Sequence, residues 1–377
     1  MSKLGRILGI VGIVILALAV IAGGLGVYTV RRSFPQTSGA VQVPGLEGKV
    51  EVYRDTLGIP HIYADNVHDL FMAQGYVHAQ ERFYQMDFWR HITSGRLSEL
   101  YGESQLETDQ FLRTMGWYRI AEQEYAETDA ETNVILDAYA EGVNAYIGSR
   151  SAADLSLEYS ILGLTGLKNY TPEPWSPVSA LAWAKSMAWD LGGNMSDEIR
   201  RAVLLQALGP EKTLDYLPLY PADHPIIIPN PPTAALDYTR LSARVDAVQA
   251  LLGGGSRDIG SNNWVIAGSR TTTGKPILAN DPHLSIQMPS IWFEVGLHCQ
   301  TVTSDCPYDV TGVSFGGAPG VIIGHNDHIA WGMTNVGPDV QDLYIEKINP
   351  ANPNQYEVNG KWVDMEVRTE TIKVKGG

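Results

Sequence analysis

The segment Gly253-Gly254-Gly255-Ser256-Arg257-Asp258-Ile259-Gly260-Ser261-Asn262-Asn263-Trp264 constrains this chain more than any other. A small, pliant run ends at Gly260, and Ser261 leads into Trp264-Val265-Ile266-Ala267, which reads as a buried strand. Hydrolysis of the 260–261 bond would leave Ser261 with both a hydroxyl and a free α-amine. Such an amine has an ordinary pKa of about 7.7–8, so much of it is neutral near physiological pH. Nucleophile and base would then share one residue. The same hydroxyl can attack the Gly260 carbonyl before cleavage, and a residue without Cβ gives the backbone the freedom that attack needs. The other reading is a loop serine ahead of a strand.

With 44% hydrophobic and 18% charged residues, 377 residues suffice for a real core in two or three domains. A net charge of −15 excludes a nucleic-acid partner, which needs clustered Lys and Arg, and leaves carboxylates for a cation. Lys3 and Arg6 precede an uncharged run from Ile7 to Val30, closed by Arg31-Arg32. That run exceeds a signal-peptide core and is long enough to cross a bilayer. Ala17-Leu18-Ala19 offers a cleavage site, so residues 1–32 are a membrane anchor or a removed signal. The anchor is preferred because apolar residues continue past that site. The bulk is then extracytoplasmic, at the cell surface or in the periplasm. Cys299 and Cys306 either close a small loop or remain two buried thiols.

Residues 33–47 read as a tether and 48–232 as a mainly helical region. The latter opens with short strands at Lys49 to Tyr53 and His61 to Tyr63. Tyr76, Ala79, Phe83 and Met86 form one apolar helical stripe. Thr128 with Glu131 suggests a capping box, and Ser176-Pro177 starts a further, deeply buried helix. Proline clusters between Pro221 and Pro232, and 233–260 reads as a spacer. An amphipathic helix over 241–252 would lie inside it and cover the nascent site. From Ser261 onward strands are expected at 263–268, 276–280, 291–298, 308–315, 320–324, 340–348 and 361–375.

Ser261-Asn262-Asn263-Trp264-Val265, Gly274-Lys275-Pro276 and Ala279-Asn280-Asp281-Pro282-His283-Leu284 resemble the penicillin acylase family of N-terminal-nucleophile hydrolases. So do Pro319-Gly320-Val321-Ile322-Ile323-Gly324-His325-Asn326 and Ile329-Ala330-Trp331-Gly332-Met333-Thr334-Asn335. Earlier matches are Gly58-Ile59-Pro60-His61-Ile62 and Gly75-Tyr76-Val77-His78-Ala79-Gln80-Glu81-Arg82. The resemblance runs from about residue 48 to the end. It implies an α+β fold, the four-layer αββα sandwich, incomplete at its C-terminus. It also implies a zymogen cleaved autocatalytically between Gly260 and Ser261 into an α/β heterodimer. Residues 261–377 would begin the catalytic β-chain. Because family members continue beyond the matching point, the chain reads as an N-terminal fragment of a longer precursor.

The resemblance assigns Ser261 as nucleophile and His283 as the residue orienting it. The main-chain N–H of Asn335 becomes one oxyanion donor, with a second, asparagine donor expected beyond Gly377. Asp339, Gln341 and Asp342, with Glu198, match a structural calcium site of hard oxygen ligands, set against a plain solvated acidic turn. No organic cofactor is implied. Leu284, Phe315 and Gly316 fall at the acyl pocket. Leu284 and Gly316 replace phenylalanines there, which predicts a more open pocket and linear aliphatic acyl groups. The implied substrate is a small N-acyl amide of the β-lactam type, as in antibiotic metabolism. Acyl-homoserine lactones (quorum quenching) and a non-catalytic membrane-tethered binding protein stand as alternatives. Gly312-Val313-Ser314-Phe315-Gly316 matches a Gly-x-Ser-x-Gly nucleophile pattern, but the glycines and proline that follow prevent the helix that motif requires. His325 and His328 lack a third metal ligand.

Overall fold

The computed structural model describes residues 3–192, 194–218, 238–252, 260–284, 286–337 and 341–376. The first helix, α1 (Lys3–Arg31), is apolar and buries nothing; its most apolar window has a mean hydropathy of 2.8. A hairpin of β1 (Glu51–Arg54) and β2 (Pro60–Ala64) comes next. The helices α2 (Val67–Thr93), α3 (Leu97–Tyr101), α4 (Leu106–Met115), α5 (Trp117–Glu127) and α6 (Ala130–Ile147) follow. After them come α7 (Ala152–Leu155), α8 (Leu157–Leu164), α9 (Pro177–Gly192), α10 (Asn194–Leu208), α11 (Pro210–Tyr216) and α12 (Tyr238–Leu252). From Gly260 on, apart from one short 3-10 turn, the regular structure is strand: β3 (Gly260–Ile266), β4 (Ile277–His283), β5 (Trp292–Cys299), β6 (Asp309–Phe315), β7 (Ile323–His325) and β8 (Ala330–Trp331). The last strands are β9 (Ile348–Asn349), β10 (Asn352–Val358) and β11 (Lys361–Asp364). The chain is therefore α+β.

Side-chain caps start the two longest core helices. Asn66 accepts from Asp69 N at 2.7 Å, and Asp129 accepts from Thr132 N at 2.9 Å. The second cap corrects the expectation at Thr128, whose hydroxyl instead donates to Glu124 O at the end of α5. A carboxylate next to the first turn is the better acceptor and complements the helix dipole. Helices α2 and α6 cross with their backbones touching. A Cβ on Gly75 would come within 2.0 Å of Tyr139 O, and one on Gly142 within 1.7 Å of Met72 O. Only glycine permits that approach.

The main sheet runs β1-β2-β5-β6-β7-β8, antiparallel except for the parallel pair β2–β5. It therefore unites strands from both sides of the 260–261 bond. Ile62, Phe293, Val295 and Leu297 pack one face against Leu70 and Phe71 of α2. By strand alternation the other face carries His61, Tyr63, Glu294 and His298. Between β5 and β6, Cys299 and Cys306 are disulfide-bonded, which decides between the two readings left open.

A second, two-stranded sheet pairs β3 with β4. The strand at Ser261 forms as expected but is not buried: Trp264 is 66% exposed and Val265 73%. No third strand pairs with this hairpin among the described residues. The third sheet, β11-β10-β9, includes a strand at 352–358 where none was expected. The strand expected over 340–348 is reduced to β9 at its end; 341–347 is irregular, and Asp339 and Val340 lie outside the described residues. That expected over 361–375 stops at Asp364. Within the spacer, α12 buries Val245, Val248 and Leu252 in the cluster around Trp183 and Trp189. The rest of the spacer, apart from Gly260, falls outside the described residues, as do all the prolines from Pro221 to Pro232.

Candidate active site

Aromatic and β-branched residues at 264–266 favour extended backbone, and the turn at Gly274-Lys275-Pro276 folds β4 back on β3. In this register Ser261 lies opposite Pro282 and Gly260 opposite His283. Ser261, Asn263, Asn280 and Pro282 therefore share one face of the hairpin, while Asn262, Asp281 and His283 share the other.

On the first face, the main-chain N–H of Asn335 donates to Ser261 Oγ at 2.9 Å. Asn335 is itself fixed at both ends of its amide. Its Nδ2 donates to Leu191 O, in the last turn of α9, at 2.9 Å, and its Oδ1 accepts from Gly337 N at 3.0 Å. The segment bearing Asn335 is tied to the hairpin by Asn280. Asn280 Nδ2 donates to Asn262 O (2.9 Å) and Met333 O (3.0 Å), and its Oδ1 accepts from Met333 N (2.9 Å). The sequence motif alone gives Asn280 no role; the register that places it on the Ser261 face does. Gly332 completes the contact, since a Cβ there would lie 2.7 Å from Asn263 Nδ2.

His283 departs from its expected part. It projects from the face opposite Ser261, with Nε2 2.9 Å from Asp281 Oδ2 and 3.4 Å from Asn262 Nδ2, and makes no hydrogen bond to Ser261. Alternation along β4 is the cause: a residue paired with Gly260 must point away from Ser261. Gly260 opens β3. It is an ordinary strand residue, and an added Cβ would meet only His283 Nδ1 at 3.8 Å, so the resting backbone holds no strain that demands glycine.

Phe315 ends β6 with its ring 4.5 Å from Trp292 and 5.9 Å from Trp183. Leu284 packs on the same apolar cluster. The space beside Gly316 is lined by α2: a Cβ there would touch Arg82 Cβ at 3.4 Å and Met86 Cγ at 3.6 Å. Part of the room expected from losing a ring is therefore occupied. Ser314 is fully buried near the end of β6, where no helix follows, consistent with rejecting it as a nucleophile.

A cavity of about 590 Å³ opens on the Ser261 face of the hairpin. Asn280 and Pro282 form one wall, and Trp292, Glu294, Thr311 and His61 the sheet side. His61 Nδ1 is 3.2 Å from His298 Nε2, whose Nδ1 meets Asp309 Oδ1 at 2.6 Å. Asp55 also lines the cavity, and no Lys or Arg does among the described residues. Beside the Leu191 carbonyl, burial raises the Asp190 carboxyl to about 6, and its Oδ1 lacks a partner among the described residues.

Glu198 of α10 accepts from Leu343 N at 2.9 Å, so its carboxylate meets the segment that contains Gln341 and Asp342. Asp339 lies outside the described residues. Glu198, Gln341 and Asp342 would each offer hard oxygen donors, the kind a calcium ion takes. Among the described residues no cluster of three or more His, Cys, Asp or Glu marks a metal site, His325 and His328 included.

An acyl-homoserine lactone acylase, QuiP, from Pseudomonas aeruginosa is 36% identical over 91% of this chain and 40% of its own length. The Penicillin acylase 2 proenzyme of a Pseudomonas species is 32% identical over 92% of this chain and 44% of its own length. A thermostable penicillin G acylase from Alcaligenes faecalis, 27% identical, aligns with 49% of this chain and 98% of its own chain at a TM-score of 0.38. The chain thus spans less than half the length of these two curated relatives. The penicillin amidase profile itself matches residues 49–377, and the chain belongs to that family.

Proposed function

We propose that this chain carries the nucleophile and first oxyanion donor of an acylase that hydrolyses small N-acyl amides. The observation that carries the reading is the Asn335 N–H held 2.9 Å from Ser261 Oγ. In maturation, Ser261 Oγ attacks the Gly260 carbonyl carbon, the Gly260–Ser261 C–N bond breaks, and water hydrolyses the resulting ester. The freed α-amine then serves as base. In turnover Oγ attacks the substrate carbonyl, the amine takes the hydroxyl proton and passes it to the departing amine, and water releases the acid. Negative charge on the former carbonyl oxygen is met by the Asn335 N–H, and a preorganised donor of this kind is worth ~2.7–4 kcal/mol.

The catalytic unit is an α/β heterodimer with the four-layer αββα arrangement, clamped by calcium through Glu198, Asp339, Gln341 and Asp342. The calcium would supply a fixed positive charge joining the two chains. The apolar helix α1 tethers the enzyme at the outer side of a membrane. Of the two amide classes, the cavity favours the acyl-homoserine lactone. Its lining holds Glu294 and Asp55 and, among the described residues, no Lys or Arg, so an uncharged lactone is accommodated better than a β-lactam nucleus bearing a carboxylate.

Mass spectrometry of protein made from the complete gene tests the reading. A chain beginning Ser261-Asn262-Asn263-Trp264 is expected, and Ser261→Ala should leave one uncut chain without amidase activity. An uncut wild type that still hydrolyses amides would overturn it.

A further inference from the structure

A buried hydrogen-bond chain outside the nucleophile's surroundings joins α2 and α6 to the strand that ends in Phe315. Gly317 N donates to Tyr139 Oη at 2.9 Å, and Tyr139 Oη lies 2.8 Å from His78 Nδ1. His78 Nε2 lies 3.1 Å from Ser314 Oγ, which is 3.0 Å from Phe293 O. The two ends dictate every proton between them. An amide N–H can only donate and a carbonyl can only accept. Tyr139 must therefore donate to Nδ1, His78 carries its proton on Nε2 and donates to Ser314, and Ser314 donates to Phe293. His78 must be neutral for this, and burial, with Arg82 nearby, depresses its pKa to about 3.

A second clamp lies one turn earlier on α2. The buried Gln74 side chain donates to Gly320 O at 2.9 Å and accepts from Gly320 N at 2.8 Å. The turn after Phe315 is thus gripped at 317 and at 320. The glycine contact between α2 and α6 is what lets Tyr139 reach both His78 and Gly317.

We propose that His78 and Tyr139 are positioning residues that set the wall of the acyl pocket at Phe315 and Gly316, and so select acyl-chain length. The proposal rests on the acylase reading. His78 and Tyr139 precede the 260–261 bond and Ser314 and Gly317 follow it, so the network holds the pocket of one mature chain with groups from the other. Tyr139→Phe strips Gly317 N and His78 Nδ1 of their partner at once. His78→Leu breaks the same chain one link on. His78→Gln retains an acceptor toward Tyr139 and a donor toward Ser314.

The test uses the complete, processed enzyme and compares kcat/KM for butanoyl and octanoyl p-nitroanilides. Tyr139→Phe and His78→Leu should shift the octanoyl-to-butanoyl ratio in the same direction by roughly fivefold or more, mainly through KM. The double variant should go little further, because both break one network. His78→Gln should restore most of the ratio, a rescue that a purely structural role does not require. If Tyr139→Phe does not fold, His78→Leu against His78→Gln decides the matter. A ratio unchanged within twofold in folded variants overturns the positioning role and leaves the acylase reading intact. A processed wild type that cleaves neither anilide overturns both.

Discussion

Ser261 Oγ and the main-chain nitrogen of Asn335 lie 2.9 Å apart although 74 residues separate them in the chain. The contact is held from two sides: Asn280 ties Met333 to the hairpin, and Leu191 anchors the Asn335 side chain. A donor already fixed beside this hydroxyl would not have to reorganise if negative charge develops there.

Removing the donor and removing its anchor should therefore differ. Asn335→Pro deletes the N–H and should lower kcat by about 10²–10³-fold in the complete enzyme. Asn335→Ala keeps the N–H and loses only the bonds to Leu191 and Gly337, so a fall of roughly tenfold is expected. Equal losses in steady-state assays would argue against the main-chain N–H as the acting group.

Asn280→Ala removes two hydrogen bonds that tie Met333 to the hairpin and one to Asn262 O within it. The site is exposed, so global stability should drop by only about 1 kcal/mol. Cleavage at 260–261 should slow far more than that suggests. Timed gels of precursor conversion, alongside thermal melts, separate the two effects.

Stability should depend on pH through His78. Its folded pKa of about 3 lies below the ordinary 6.5, so the unfolded chain binds a proton that the folded chain refuses. The contribution is fully present above about 6.5 and is lost progressively as pH falls toward 3. Asp190, raised to about 6, works in the opposite sense between about 4 and 6, because there the folded chain is the better proton acceptor. Denaturant melts of wild type and His78→Gln across this range isolate the histidine: their difference should shrink steadily as the solution is acidified. A constant difference would mean His78 is not held neutral.

If Glu198, Asp339, Gln341 and Asp342 hold calcium, adding it to chelator-treated protein should raise Tm by several degrees and strengthen association of the two chains. Glu198→Gln should blunt both responses. Glu198 also accepts from Leu343 N, which the amide oxygen can still do, so the variant should remain folded. Calorimetry with and without EDTA reads this directly.

Much of this protein was legible before any coordinates. Uninterrupted hydropathy identified α1, three- and four-residue spacing identified α2, a capping signal identified α6, and strand composition located β3 to β6, because such patterns are local. The motif order identified Ser261 and Asn335 together. What failed depended on which face a residue occupies or on what lies above it. His283 sits in the right motif but alternates away from Ser261, and Trp264 lies in a strand whose outer face stays open.

Sequence alone determined the strand that bears Ser261, the helical and β-rich halves and the family, since these rest on residue type and spacing. Tertiary structure alone decided the pairing of Cys299 with Cys306, the bracing role of Asn280 and the buried line from Phe293 to Gly317. The disulfide depends on how the short connection between β5 and β6 closes, and the other two on distances between segments far apart in the chain. The touching backbones of α2 and α6 and the register of β3 on β4 set those longer distances.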